Sequence, residues 1–139
     1  MKSDMKREMK REMKRDRPDS TGKSQHVGQS MGHALAGITA TFKTERNFKI
    51  QLVCGVLAVI ACALLQVPAW QWGLALVAIF FVLVAELFNT AIEAVTDLAC
   101  NQQWHPLAKK AKDAAAGAVL LASVFALATA AIISAWALA

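Results

Sequence analysis

The stretch "IQLVCGVLAVIACALLQVPAWQWGLALVAIFFVLVA", residues 50–85, contains no Asp, Glu, Lys or Arg. A hydrocarbon core about 30 Å thick is crossed by about 20 helical residues at about 1.5 Å each. The run therefore holds two short spans, and Pro68 marks the turn between them. A second charge-free run, residues 114–139, holds one more span. The apolar share of the chain, 56%, is high for a soluble domain. Together these features predict an all-α integral membrane protein: an N-terminal amphipathic surface helix followed by three transmembrane helices.

Working outward, the spans are expected over about 48–67, 70–98 (including a cytoplasmic extension) and 107–138. Residues 25–44 carry Val27, Met31, Leu35, Ile38 and Phe42 at three- and four-residue spacing, with Gln29, Ser30 and His33 elsewhere around the turn. That pattern suits a helix lying on the membrane surface. Residues 25–139 are thus read as one membrane domain. Residues 1–24 form a charged repeat tail and linker, disordered or partly helical. Within the tail, 5–16 read MKRE-MKRE-MKRD, which pairs Glu8 with Arg11 and Glu12 with Arg15 if helical. The first 25 residues lack an apolar core, so no cleavable signal peptide is expected.

The formal charge of +5 is not evidence of nucleic-acid binding, because nine of the fifteen basic residues lie before Ser24 among acidic ones. Lys43, Arg46 and Lys49 flank the first span, Lys109, Lys110 and Lys112 open the third, and residues 67–72 carry none. The positive-inside rule then predicts a plasma (inner) membrane protein with a cytoplasmic N-terminus and a C-terminus on the outer side. Trp70, Trp72 and Trp136 fit the outer interface, where indole rings settle. Gly22-Lys23-Ser24 looks like the end of a phosphate-binding loop, but Arg17 stands where that motif needs glycine. Cys54 and Cys62 lie too far apart along one helix for a disulfide, and with Cys100 they make no metal-ligand spacing. In the last span Ala114, Ala118, Ala122, Ala126, Ala130 and Ser134 recur every four residues, a stripe suited to close helix packing within or between subunits.

The second span ends in "VAELFNTAIEAVTDL", residues 84–98. Glu86, Asn89, Glu93 and Asp97 fall within about 80° of helix circumference at about 100° per residue. A carboxylate inside a bilayer costs about 2.5–3.5 kcal/mol on the lenient insertion scale. Proximity to the helix C-terminus disfavours it further. A cation, a basic neighbour or interfacial water must offset both. Glu45, Arg46, Lys109, Lys110, Lys112 and Asp113 are expected on the same side of the membrane. Glu45, Glu86 and Glu93 opposite Lys112 make an oxygen-rich site that suits a magnesium–nucleotide complex better than a bare ion. A headgroup-level salt-bridge layer and a proton or ion pathway are the competing readings. Transport sites, however, tend to lie near mid-membrane, whereas these acids begin only toward the end of the span.

"TERNFKIQ" (44–51), "AELFNTAIEAVTDL" (85–98) and "HPLAKKAKDAAAGAVLLA" (105–122) strongly resemble the small prokaryotic lipid kinases, the diacylglycerol kinase and undecaprenol kinase family. The likeness covers about residues 26–139. It implies a homotrimer of three-span subunits that moves the γ-phosphate of Mg-ATP to a membrane lipid alcohol. By that resemblance Glu45 and Glu93 hold ATP's Mg²⁺, and Glu86 is the general base that meets the lipid hydroxyl, with Asn89 supporting it. Lys112, Asp113 and His105 contact nucleotide; Asp97 fits the pattern without an assigned role.

The sequence also departs from the family. His26 stands where the Gram-negative diacylglycerol kinases have an arginine, and His33 replaces a nucleotide-contacting tyrosine, so those contacts are not expected here. "ERNF" and "HPLAKKAKD" look closer to the undecaprenol kinase branch, which makes undecaprenol the expected acceptor and diacylglycerol the alternative. A small membrane transporter or proton relay, and a non-enzymatic scaffold assembled through the small-residue stripe, are the more distant alternatives.

Overall fold

The computed structural model describes residues 27–137. The repeat at 5–16, the 17–24 linker and His26 lie outside those residues. The described chain is helical throughout apart from its turns: α1 is Val27–Thr44, α2 Arg46–Leu64, α3 Ala69–Ala99 and α4 Pro106–Ala137. The described residues fall into two units that divide between Ala36 and Gly37. The described part of the first, residues 27–36, is a helix with Val27, Met31 and Leu35 exposed.

Helices α2, α3 and α4 are each long and apolar enough to cross a membrane. Much of their apolar surface faces outward, for example Leu57, Phe80, Phe81 and Leu121. Water would not tolerate a surface of that kind, whereas lipid does. Backbone hydrogen bonds inside each helix satisfy the polar main chain across the hydrocarbon region, leaving only the turns to be resolved by other means.

Both inter-span turns use the same device. At the end of α2, Val67 N–H donates to the Cys62 carbonyl and Gln66 N–H to that of Ala63, each at 3.3 Å. Gln66 takes the left-handed conformation at φ 50°. This is the Schellman arrangement, and its usual apolar contact is present, since Cys62 and Val67 share one buried cluster. Pro68 follows and directs the chain into α3. At the end of α3, Gln102 N–H donates to Asp97 O at 2.9 Å and Asn101 N–H to Leu98 O at 3.4 Å. Here Asn101 (φ 48°) and Gln102 (φ 60°) both turn left-handed. Asparagine tolerates that region better than most residues. The His105 ring then caps α4: the Leu107 N–H donates to His105 Nδ1 at 3.2 Å. Pro106 opens the helix at the one position where a missing N–H does no harm.

Helix α3 packs most extensively against α4 and less so against α2. Gly55 on α2 makes that second approach possible, since a Cβ there would lie 2.9 Å from Ile79 Cγ2. At the end carrying the 65–68 turn, Cys62, Val67, Ala75 and Ile133 form a small core with Trp72 and Ala137 against it. Trp70 and Trp136 meet edge to face, with ring centroids 6.0 Å apart, which joins the start of α3 to the end of α4.

The four-residue stripe on α4 meets the face that α4 buries within the subunit only at Ala122. Its buried residues are Ala115, Ala122, Thr129 and Ile133, while Ala114 and Ala118 are exposed. The reason is geometric. A strict four-residue step drifts about 40° per repeat on a 3.6-residue helix, so the stripe winds around it. A seven-residue step drifts about 20°, and a modest crossing angle between packed helices absorbs that drift. The later half of the stripe instead borders a groove between α2, α3 and α4.

Candidate active site

The buried residues of α3 are Gln71, Ala75, Ala78, Val82 and Glu86, spaced four, three, four and four apart. Asn89, Glu93 and Asp97 continue the same series, and each is partly buried. The acidic face is therefore the core-facing seam of α3 carried past its apolar section. Its side chains project toward the neighbouring helices instead of the lipid, which explains how the chain tolerates them.

Each polar group on this seam has a partner suited to its depth. Glu86, only 2% exposed, accepts a hydrogen bond from Gln51 Nε2 of α2 at 3.1 Å. One turn on, Asn89 Nδ2 donates to Glu93 Oε1 at 3.0 Å. Nearest the helix end, Asp97 Oδ1 lies 2.5 Å from Lys112 Nζ of α4, and both side chains are part-exposed. The Lys112 ammonium also interacts electrostatically with Glu93. One face of α3 is thus bridged to α2 at its deep end and to α4 at its shallow end. Eleven residues separate Glu86 from Asp97, a span of about 16 Å along the axis.

The remaining expected residues are arranged less tightly. Glu45 stands at the N-terminal cap of α2 in extended conformation. The Thr44 hydroxyl lies 3.0 Å from its Oε1. Asp113 pairs with Lys109, one turn earlier on α4, and so does not join Lys112. His105 Nδ1 is engaged by the α4 backbone, which leaves only Nε2 of that ring for another partner. Lys112 faces Asp97 and Glu93, where the sequence pattern had set it opposite Glu45 and Glu86 as well. Among the described residues no three His, Cys, Asp or Glu side chains converge on one metal position. The three cysteines are free.

One contributor was missed from the sequence, Gln51, which binds Glu86; Lys109 was expected on this side of the membrane, but its pairing with Asp113 was not. Gln51 had a visible signal, being the amide that interrupts the apolar run at the start of α2. Two acceptor oxygens in this region, Gln51 Oε1 and Asn89 Oδ1, are buried without a hydrogen-bond partner among the described residues. Gln51 also lines the groove between α2, α3 and α4, a hollow of about 320 Å³ walled almost wholly by apolar side chains such as Cys54, Ala58, Ile79 and Val82. The site therefore combines carboxylates, a cation, spare oxygen acceptors and an adjoining apolar surface. Those are the components needed to bring a phosphorylated nucleotide to an amphiphile.

Residues 32–134 match the profile of the prokaryotic diacylglycerol kinases. This chain belongs to that family. Among curated relatives, a diacylglycerol kinase of Synechocystis sp. is 44% identical over 95 residues, covering 68% of this chain and 54% of the relative. The chain thus spans about half the length of that protein. An undecaprenol kinase of Bacillus subtilis is 41% identical over 96 residues, covering 69% of this chain and 77% of the relative. A diacylglycerol kinase of Escherichia coli is 33% identical over 101 residues, 73% and 82% of the two chains. The names agree on a kinase and differ in the lipid. As a diacylglycerol kinase family member, the chain has its seam of Glu86, Asn89, Glu93 and Asp97 well inside the matched region, as are Glu45, Gln51 and Lys112.

Proposed function

We propose that this chain is an ATP-dependent lipid kinase that transfers the γ-phosphate of Mg-ATP to the hydroxyl of undecaprenol, giving undecaprenyl phosphate. The observation that carries the reading is the polar continuation of the α3 seam, with Gln51 bound to Glu86 and Lys112 held by Asp97. A lipid alcohol and a water-soluble nucleotide can meet only where an apolar helix bundle becomes polar. That is where these residues lie.

Phosphoryl transfer asks little covalent chemistry of a protein; positioning and charge stabilisation supply most of the acceleration. In this proposal Glu86 accepts the hydroxyl proton as the lipid oxygen attacks the γ-phosphorus, whose bond to the β–γ bridging oxygen breaks to release ADP. Lys112 stands ready to oppose charge on phosphate oxygens, and Asp97 holds it in place until nucleotide arrives. Asn89, expected to support Glu86, donates instead to Glu93 and fixes that carboxylate. Asp113 reaches nucleotide on release from Lys109, and His105 does so through Nε2.

The donor set fits Mg²⁺. Glu93, Glu45 and the spare Asn89 Oδ1 are hard oxygen donors, and magnesium takes one or two carboxylates and completes its shell with phosphate and water. When bound, the ion neutralises phosphate charge. A homotrimer, a cytoplasmic N-terminus and an outer C-terminus belong to the same proposal, supported by the family likeness and by the distribution of Lys and Arg.

The "ERNF" and "HPLAKKAKD" segments favour undecaprenol as acceptor. The 44% identity to a protein named diacylglycerol kinase favours diacylglycerol as the second reading. Apolar pockets discriminate tails weakly, so the two substrates call for direct comparison. Purified protein in mixed micelles, given labelled Mg-ATP and each lipid in parallel, is expected to label undecaprenol with the higher kcat/KM. Label on diacylglycerol alone selects the second reading. Label on neither, from an intact detergent-stable oligomer, overturns the kinase.

A further inference from the structure

Gln51 does more than fill space on α2. Its Nε2 donates across the helix pair to Glu86 Oε2 at 3.1 Å, while its Oε1 is buried with no protein partner among the described residues. The amide has thus one side-chain hydrogen bond, and that bond goes to the candidate base. We propose that Gln51 is a positioning residue for the transfer step, acting through Glu86 by fixing the orientation of its carboxylate. The inference rests on the lipid-kinase reading above and deepens it.

The chemistry of the pair supports this role. The neighbours of Gln51 along α2, Ile50, Leu52 and Val53, are all apolar, so an amide at this point is costly unless it is used. Its polarity is set by its partner: turned the other way, Oε1 would face the oxygens of an ionised carboxylate, acceptor against acceptor. A lysine or arginine here would hold Glu86 as a salt bridge and compete for its charge. A second carboxylate would repel it. A glutamine offers an N–H donor that orients the group, carries no charge and does not titrate, which leaves Glu86 able to take a proton. Glu86 is 2% exposed, so water is not at hand to do the same work. Gln51 also lines the apolar groove, so it stands between that lipid-like surface and the carboxylate.

The test compares wild type, Gln51→Leu, Gln51→Asn, Glu86→Gln and the double variant Gln51→Leu/Glu86→Gln, as purified full-length protein with undecaprenol, diacylglycerol and labelled Mg-ATP. Leucine removes the donor at similar volume. Asparagine keeps an amide but is one methylene too short to span the 3.1 Å contact. Each single Gln51 variant is expected to lose about 10- to 100-fold in kcat, the scale of a misplaced reacting group, with KM for ATP unchanged. The double variant is expected to be no slower than Glu86→Gln alone, because a residue that acts through Glu86 has nothing left to act on. A merely structural role gives additive losses instead, and additivity overturns the proposal. So does wild-type kcat in both Gln51→Leu and Gln51→Asn. Those results leave the kinase itself standing. A wild type inactive on both lipids overturns the kinase reading and this inference with it.

Discussion

Replacing Glu86 by glutamine changes the charge of one group and little else, which makes it the sharpest test of the proposed chemistry. The side chain is buried at 2% exposure, and the substitution conserves its volume. Its contact with Gln51 survives, since the new amide oxygen accepts the same Nε2–H at the same 3.1 Å. No cavity opens, and the Gln51 Nε2–H keeps an acceptor. With volume and this contact conserved, the thermal midpoint in detergent is expected to change little. What disappears is the ability to take a proton. General-base catalysis contributes about 10²- to 10⁴-fold, equivalent to about 2.7–5.4 kcal/mol of barrier at 1.36 kcal/mol per tenfold. The assay is initial-rate transfer of labelled phosphate in mixed micelles, with lipid and ATP varied separately. A fall of that size in kcat is expected, with KM for ATP unchanged, because the nucleotide contacts are assigned elsewhere on the seam. A Glu86→Gln protein retaining most of the wild-type kcat refutes the role given to Glu86.

Three further outcomes follow from particular contacts. Lys112→Met removes the ammonium that Asp97 holds at 2.5 Å; KM for Mg-ATP should rise well above wild type while KM for lipid stays put, measured by the same initial rates. Gln71, at 0% exposure, has both side-chain amide atoms buried without a partner among the described residues. Gln71→Leu should therefore raise unfolding stability in detergent by about 1–3 kcal/mol, and a fall instead shows that the assembled protein supplies that amide with a partner. Gly55→Val places branched carbon where even a Cβ meets Ile79 Cγ2 at 2.9 Å. Overpacking there should lower stability by about 1–3 kcal/mol, read by thermal unfolding, and lower kcat as α2 moves Gln51 away from Glu86.

The kind of fold was plain before any coordinates. Residues 50–85 and 114–137 carry no charge, and no soluble helix bundle of this size needs such runs. Pro68 interrupts the first, and Pro106 opens α4 as its missing N–H permits. The shared face of Glu86, Asn89, Glu93 and Asp97 was equally legible, because helical periodicity alone decides which residues of one helix lie together. The three motifs placed the chain in its family for the same local reason: each motif is a contiguous segment whose pattern survives without knowledge of its neighbours.

Pairings between helices were not legible. Of the four-residue stripe from Ala114 to Ser134, only Ala122 is buried within the subunit; Ala115, Thr129 and Ile133 are the other residues that α4 buries there. Lys112 had several acids within plausible reach and meets Asp97; Asp113, beside it in the chain, turns to Lys109. Gln51 looked like one polar interruption in an apolar run until α3 brought Glu86 to it. Periodicity sets the order of side chains around a helix, a consequence of backbone geometry that every residue carries with it. How far each helix is rotated toward its neighbours is set by the interlocking of side chains along the whole contact, Gly55 against Ile79 included. A rotation of one residue's angle exchanges one partner for another, so the lining of this site was decided by packing.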